Sequence, residues 1–112
     1  MLDENKVIVR IPGWSSLSSG VPLRLVHGGR AMVVVRLDDE VFALEDRCSH
    51  QDVPLSQGEV DSGHRTIECW KHGSRFSLDD GAPSGLPATR PVPTYSASVE
   101  GDEIVIVLPA SD

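Results

Sequence analysis

The apolar residues of this chain fall in short runs cut by turn residues, and no run keeps a 3.6-residue period between helix caps. "KVIVRI" ends at Pro12-Gly13. "VPLRLVH" meets Gly28-Gly29 and is followed by "AMVVVRL", a pattern that predicts a hairpin closed by a tight turn. Asp38-Asp39-Glu40 leads into "VFALE", and "TIECW" reads as a further strand in mid-chain. "TYSASVE" and "EIVIVL" flank Gly101-Asp102 as a second hairpin. "SSLSSG", from Ser15 to Gly20, is small and polar and reads as a surface loop. Eight prolines are scattered along the chain, so helix should be minor. Many short strands between regular turn signals predict an all-β sandwich or barrel of short antiparallel strands.

Composition narrows this picture. With 112 residues the chain is expected to form a single domain spanning 1–112. Aromatics make up only 4%, so aliphatic side chains must build the core. A formal charge of −7 argues against nucleic acid as a partner, since phosphates would repel it. No stretch approaches the roughly 20 apolar residues of a membrane span. The opening "MLDENKVIVR" lacks the basic start and apolar run of a secretion signal. A cytoplasmic protein with no membrane partner is expected.

The chemistry lies in two short stretches. The chain has two cysteines, and each has a histidine close behind it: Cys48-Ser49-His50 and Cys69-Trp70-Lys71-His72. The first pair follows "VFALE" in a loop; in the second, Cys69 closes "TIECW" and His72 opens the next loop. Two loops at one end of a β scaffold could converge on one site. In a reducing compartment such thiols are metal-binding or catalytic more often than paired. A single Cys–His catalytic pair, or cysteines buried for packing alone, would not explain why the order occurs twice. Thiolate and imidazole are ligands for zinc, iron and iron–sulfur clusters. Zinc ligands usually come as Cys-x₂₋₄-Cys with His-x₃₋₅-His. A mixed pair suits a two-iron cluster better, because each loop can straddle it, with the sulfurs on one iron and the imidazoles on the other.

"CSH" followed by "CWKHGSRF" resembles the Rieske-type [2Fe–2S] proteins, whose motif is Cys-x-His, a spacer, then Cys-x₂-His. The spacer here runs from Gln51 to Glu68 and is slightly long, as an insertion such as "DSGH" would make it. The flanks "ALEDRCSHQDVPLSQGEV" and "LPATRPVPTYSASVEGDEIVIV" are similar to the small soluble Rieske ferredoxins, both those of multicomponent dioxygenases and those encoded with iron–sulfur assembly systems. The likeness runs from about Val21 to Leu108.

The resemblance implies a Rieske-type β-sandwich or barrel with cluster-binding loops at one end, holding one [2Fe–2S] cluster per chain. Cys48 and Cys69 would ligate one iron, and His50 and His72 the other. With neutral imidazoles the oxidised cluster and its thiolates sum to zero charge. A Cys₄ cluster carries two more negative charges, so the mixed set raises the potential into the band of about −150 to +300 mV. High-potential members add a cysteine to each loop, joined by a disulfide; here Val53 and Lys71 stand at those positions. They also hydrogen-bond the cluster through a Ser and a Tyr. Ser74 keeps the first position and Phe76 replaces the second, which implies the low end of the band.

The implied role is one-electron transfer from a flavin-dependent ferredoxin reductase to a terminal oxygenase, with no catalytic residues of its own. Rival readings are a Rieske protein of iron–sulfur assembly, a small subunit of an assimilatory reductase, and a structural zinc module. His27 and His64 read as solvated turn residues. Trp14 reads as core or rim, and Trp70 as a shield over the site or as strand-end packing. "DDGAPSGLPATRPVP", with Pro83 and Pro87, stands where the family has a third loop covering the cluster. The acidic stretches Asp38–Glu40 and Asp79-Asp80 fit turns.

Overall fold

Three two-residue turns join most of the larger sheet. The structure, a computed structural model, describes residues 6–49, 52–71, 73–84, 86 and 88–109. Strands β2 (Leu23–His27) and β3 (Arg30–Leu37) pair antiparallel with His27 opposite Arg30. Between them Gly28 and Gly29 sit at φ +58° and +79°, the left-handed region in which a two-residue hairpin turn needs glycine. β3 then turns through Asp38-Asp39 into β4 (Glu40–Glu45), a third hairpin that the sequence signalled only as an acidic turn. The last hairpin joins β8 (Thr94–Glu100) to β9 (Glu103–Pro109) through Gly101-Asp102.

β9 also pairs with β1 (Lys6–Pro12), and β8 pairs with β4 at Thr94 and Tyr95. The result is a curled six-stranded sheet in the order β1-β9-β8-β4-β3-β2. Between β4 and β8 the chain leaves this sheet and builds a second one of three short strands: β5 (Glu59–Asp61), β6 (Thr66–Glu68) and β7 (Arg75–Ser77). The only helical pieces among the described residues are 3₁₀ turns at Trp14–Ser16 and Leu55–Gln57. The predicted all-β architecture of short antiparallel strands is therefore the one found. The loop expected over Ser15–Gly20 begins inside the first of those turns, and Ser19 makes a single bridge to Arg36.

β3 explains the unbroken run "MVVV". Met32 and Val34 pack with Ile104, Ile106 and Leu108 inside the curl of the larger sheet. Val33, Val35 and Leu37 point the other way, onto Leu55, Ile67 and Phe76 of the segment that carries the small sheet. A strand covered on both faces has no solvent side to mark with polar residues, so the alternation seen in β1 and β8 disappears. Each fully buried aliphatic or aromatic side chain contributes roughly 1.5–3 kcal/mol. β3 thus ties the two layers together.

Candidate metal centre

Both cysteines sit at the same end of the second core. β4 delivers the chain to Asp46-Arg47-Cys48, and the Cys48 N–H donates to the Val53 carbonyl at 2.9 Å, closing a tight loop. The strand predicted over "TIECW" is shorter than expected: β6 stops at Glu68, and Cys69 lies just beyond it. The reason is local. The Cys69 N–H bonds the Ser74 carbonyl at 2.7 Å, and the Cys69 carbonyl accepts from the Gly73 N–H at 3.0 Å, so the chain has already turned. Cys48 and Cys69 are 2% and 1% exposed, neither is disulfide-bonded, and both belong to the core formed by Val33, Leu44, Ile67 and Phe76. The structure therefore gathers the two thiols in one packed region, although they are distant in sequence. His50 and His72 lie outside the described residues, as does Pro87.

The two thiol loops are held to each other. Gly58 ends the 3₁₀ turn of the first loop, and a Cβ built on it would meet the Glu68 carbonyl oxygen at 1.7 Å. Only glycine lets the backbone after the first loop approach the residue before Cys69 so closely. Residues 88–93 fasten both loops. The Arg90 carbonyl accepts from the Ser49 hydroxyl at 2.6 Å, and the Ala88 N–H donates to Ser74 Oγ at 3.2 Å. Pro83 bridges Phe76 and the Ser84 N–H bonds the Arg75 carbonyl. These contacts set Pro83, Ser84, Ala88 and Arg90 beside the stretches that carry the two thiols.

Ser74 is 1% exposed and joins this arrangement at two atoms. Its carbonyl accepts from Cys69, and its hydroxyl oxygen accepts from Ala88. The hydroxyl proton is left without an acceptor among the described residues, free to be donated into the site. Phe76 is wholly buried and carries no hydroxyl. Val53 is buried and Lys71 exposed, so no second cysteine pair clamps these loops.

Asp46 is a functional residue that sequence reading missed. It is 5% exposed and lies two residues before Cys48. Its Oδ1 accepts from the Ser56 N–H at 2.7 Å, while Oδ2 accepts from the Ser56 hydroxyl at 2.6 Å and Arg24 Nη1 at 2.7 Å. One carboxylate therefore pins the far side of the first loop and strand β2 to the root of Cys48. No periodicity or motif flags an aspartate after a strand; only the fold reveals its partners.

The remaining residues separate from the site. Trp14 is half-buried beneath the Arg36 guanidinium, 4.1 Å from its ring centre. Trp70 is 55% exposed, so it is not strand-end packing. His27 is exposed at the end of β2, and exposed His64 bonds the Asp61 carboxylate at 2.8 Å. That contact holds the Asp61 carboxyl below its ordinary range. At the opposite end of β4, Arg65 pairs with Glu40 at 2.6 Å and Asp79 at 2.7 Å, and its hydrogen bonds, aided by its charge, lower both carboxyl groups.

Two buried thiols in one core, neither disulfide-bonded, with the buried Ser74 hydroxyl five residues after Cys69, fit a sulfur-ligated iron cluster on the donor side. Residues 8–96 match the Rieske [2Fe-2S] domain family. The chain is 32% identical over 101 residues to the ferredoxin component of biphenyl 2,3-dioxygenase from Rhodococcus jostii (strain RHA1), covering 90% of this chain and 92% of that one. Its fold superposes on the ferredoxin of carbazole 1,9a-dioxygenase from Nocardioides aromaticivorans IC177 with a TM-score of 0.85 and 36% identity, over 88% of this chain and 95% of that one. A chain from a complex of reduced oxygenase and oxidized ferredoxin in carbazole 1,9a-dioxygenase matches with a TM-score of 0.81 and 29% identity, over 88% of this chain and 99% of that one.

Proposed function

The chain belongs to the Rieske [2Fe–2S] domain family, and from that premise we propose that its four Cys and His residues hold one cluster in a ferredoxin serving a terminal oxygenase. It carries electrons and is not itself the oxygenase. We read residues 1–112 as one Rieske domain. The observation that carries the assignment is that Cys48 and Cys69, both buried and neither disulfide-bonded, are brought into one core from loops between which the chain runs through β5 and β6.

When bound, the [2Fe–2S] cluster supplies reversible one-electron transfer. Cys48 and Cys69 would hold one iron, and His50 and His72 the other. The chain's own contribution is to keep the sulfur side dry. Val33, Leu44, Ile67 and Phe76 exclude water around the thiols, while Arg90 and Ala88 fasten the loops through Ser49 and Ser74. The Ser74 hydroxyl, already accepting from Ala88, would donate its proton toward sulfur and favour the more negative reduced state. Phe76 offers no second donor, and Val53 and Lys71 leave the loops without a disulfide clamp. Together these support a potential low within the roughly −150 to +300 mV band.

The electron arrives from a flavin-dependent reductase and leaves for the oxygenase. Similarity to a dioxygenase ferredoxin over nine-tenths of the chain supports the oxygenase as acceptor. We place the protein in the cytoplasm, where two cysteines outside any disulfide stay reduced. Among the described residues no helix is long and apolar enough to cross a membrane. Anaerobic titration with dithionite, followed by visible absorption, tests the carrier role. Uptake of one electron per chain is expected; a chain that takes up none is not a ferredoxin.

A further inference from the structure

Among the described residues, Asp46 is the one charged residue that the fold buries. Its side chain is wholly covered, and a charge so placed persists only where it is paired and hydrogen-bonded. Arg24 supplies the opposite charge at 2.7 Å, and the other donors, the N–H and hydroxyl of Ser56, are neutral. The two members of the ion pair are not equivalent. Arg24 reaches in from the edge strand β2 and its side chain is 48% exposed, so water and salt screen its charge. The carboxylate has no such screen, and its field extends further into the protein.

That field originates close to Cys48. Asp46 stands two residues before it, and two residues of chain span at most about 7 Å. The Cys48 N–H turns back onto the Val53 carbonyl, and Val53 leads through Pro54 and Leu55 to Ser56. Carboxylate and thiol therefore belong to one closed loop. Arg30, Glu45, Arg47 and Asp52 line the same depression as the Asp46–Arg24 pair, and all four are exposed or half-buried. Arg47 and Asp52, at 61% and 89% side-chain exposure, also face each other at 3.4 Å.

We propose that the buried charge of Asp46 sets the reduction potential of the site, holding it down, with Arg24 as a weaker lever of opposite sign. The role rests on the electron-carrier reading above. Reduction adds one negative charge to the site, and a fixed carboxylate in the same loop makes that charge harder to add. Asp46 also pins the loop, and the two roles separate by sign. Loosening the loop would move the potential in one direction whichever partner of the pair is removed. Removing charge moves it upward for Asp46 and downward for Arg24.

Spectroelectrochemistry of the holoprotein and three variants at pH 7 tests this. Asp46→Asn should raise the midpoint, favouring the reduced state about threefold, or about 28 mV for a one-electron couple. Arg24→Gln should lower it by about twofold, or about 18 mV, and carries the test by itself if Asp46→Asn does not fold. Asp52→Asn removes an exposed carboxylate from the same loop and should leave the midpoint where it was. The Asp46→Asn shift should also survive about 1 M salt, where the screening length is about 3 Å. Midpoints of Asp46→Asn and Arg24→Gln that move together, or an Arg24→Gln midpoint that rises or stays, would refute the role. A shift in Asp52→Asn as large as that in Asp46→Asn would show that burial is not its source, and would refute it equally. A parent protein with no redox couple would overturn the carrier reading and this role with it, whereas a couple that no variant moves overturns the role alone.

Discussion

Asp46 and Ser56 are joined twice: one carboxylate takes both the backbone N–H and the hydroxyl of the serine, at 2.7 and 2.6 Å. The joint closes the first thiol loop at its base, and Arg24 completes the carboxylate's partners from β2 at 2.7 Å. Asp46→Asn removes the charge and turns a donor toward at least one of these groups. A hydrogen bond to a charged group is worth about 1.5–3 kcal/mol, so a loss of about 2–3 kcal/mol in unfolding free energy is expected by denaturant titration. Faster release of iron to a chelator should accompany it. A variant as stable as the parent would show that the loop is held elsewhere.

Gly58 makes a separable prediction, because its φ of −92° suits any residue and only space forbids a side chain. In Gly58→Ala the methyl group would strike the Glu68 carbonyl, and the two thiol loops must part. Overpacking of this kind costs about 1–3 kcal/mol. Thermal unfolding should register the drop, and the visible bands should bleach faster in air. Unchanged bleaching would mean that the approach of the loops does not matter to the site.

Ser74 has a proton to give, and the potential should reveal where it goes. Ser74→Ala is expected to lower the midpoint by roughly 20–60 mV, the one-electron equivalent of a net hydrogen bond of about 0.5–1.5 kcal/mol. Phe76→Tyr, which adds a hydroxyl in the buried position, is expected to raise it. Spectroelectrochemistry checks both. An unmoved midpoint in Ser74→Ala would leave the serine only its tie to Ala88.

Acid should weaken the far end of the molecule first. Arg65 holds the Glu40 and Asp79 carboxyls below their ordinary range, and His64 does the same for Asp61. Carboxyls depressed in the folded state stabilise it above their unfolded pKa of about 4, and that contribution is lost as pH falls through the folded values. Stability should therefore decline below about pH 4, and Asp79→Asn should make the decline shallower. Denaturant titrations across pH 2–6 test this; parallel curves for parent and variant would contradict it.

How much of this was legible in the sequence depended on whether a residue's partner was near in the chain. The hairpin turns at Gly28-Gly29 and Gly101-Asp102 announce themselves, because two positions of chain decide them. The pairing of Cys48 and Cys69 with following histidines was readable for the same reason. β5 and β7 were not, since strands of three residues carry no period, and their pairing with β6 is set by the core beneath. Asp46, Gly58 and Arg65 were invisible as well. Their partners lie at Ser56, Glu68 and Glu40, and a carboxylate, a glycine and a guanidinium look like ordinary surface or turn residues until the fold supplies those contacts.

The central claim is that Cys48, His50, Cys69 and His72 hold one [2Fe–2S] cluster. It is tested most directly by EPR of dithionite-reduced protein purified without air, with iron, sulfide and zinc assayed on the same sample. Two irons and two sulfides per chain are expected, with a reduced-state signal characteristic of mixed sulfur and nitrogen ligation that is lost in His50→Ala and His72→Ala. One zinc per chain, no sulfide and no signal would contradict the account and leave a structural zinc module in its place.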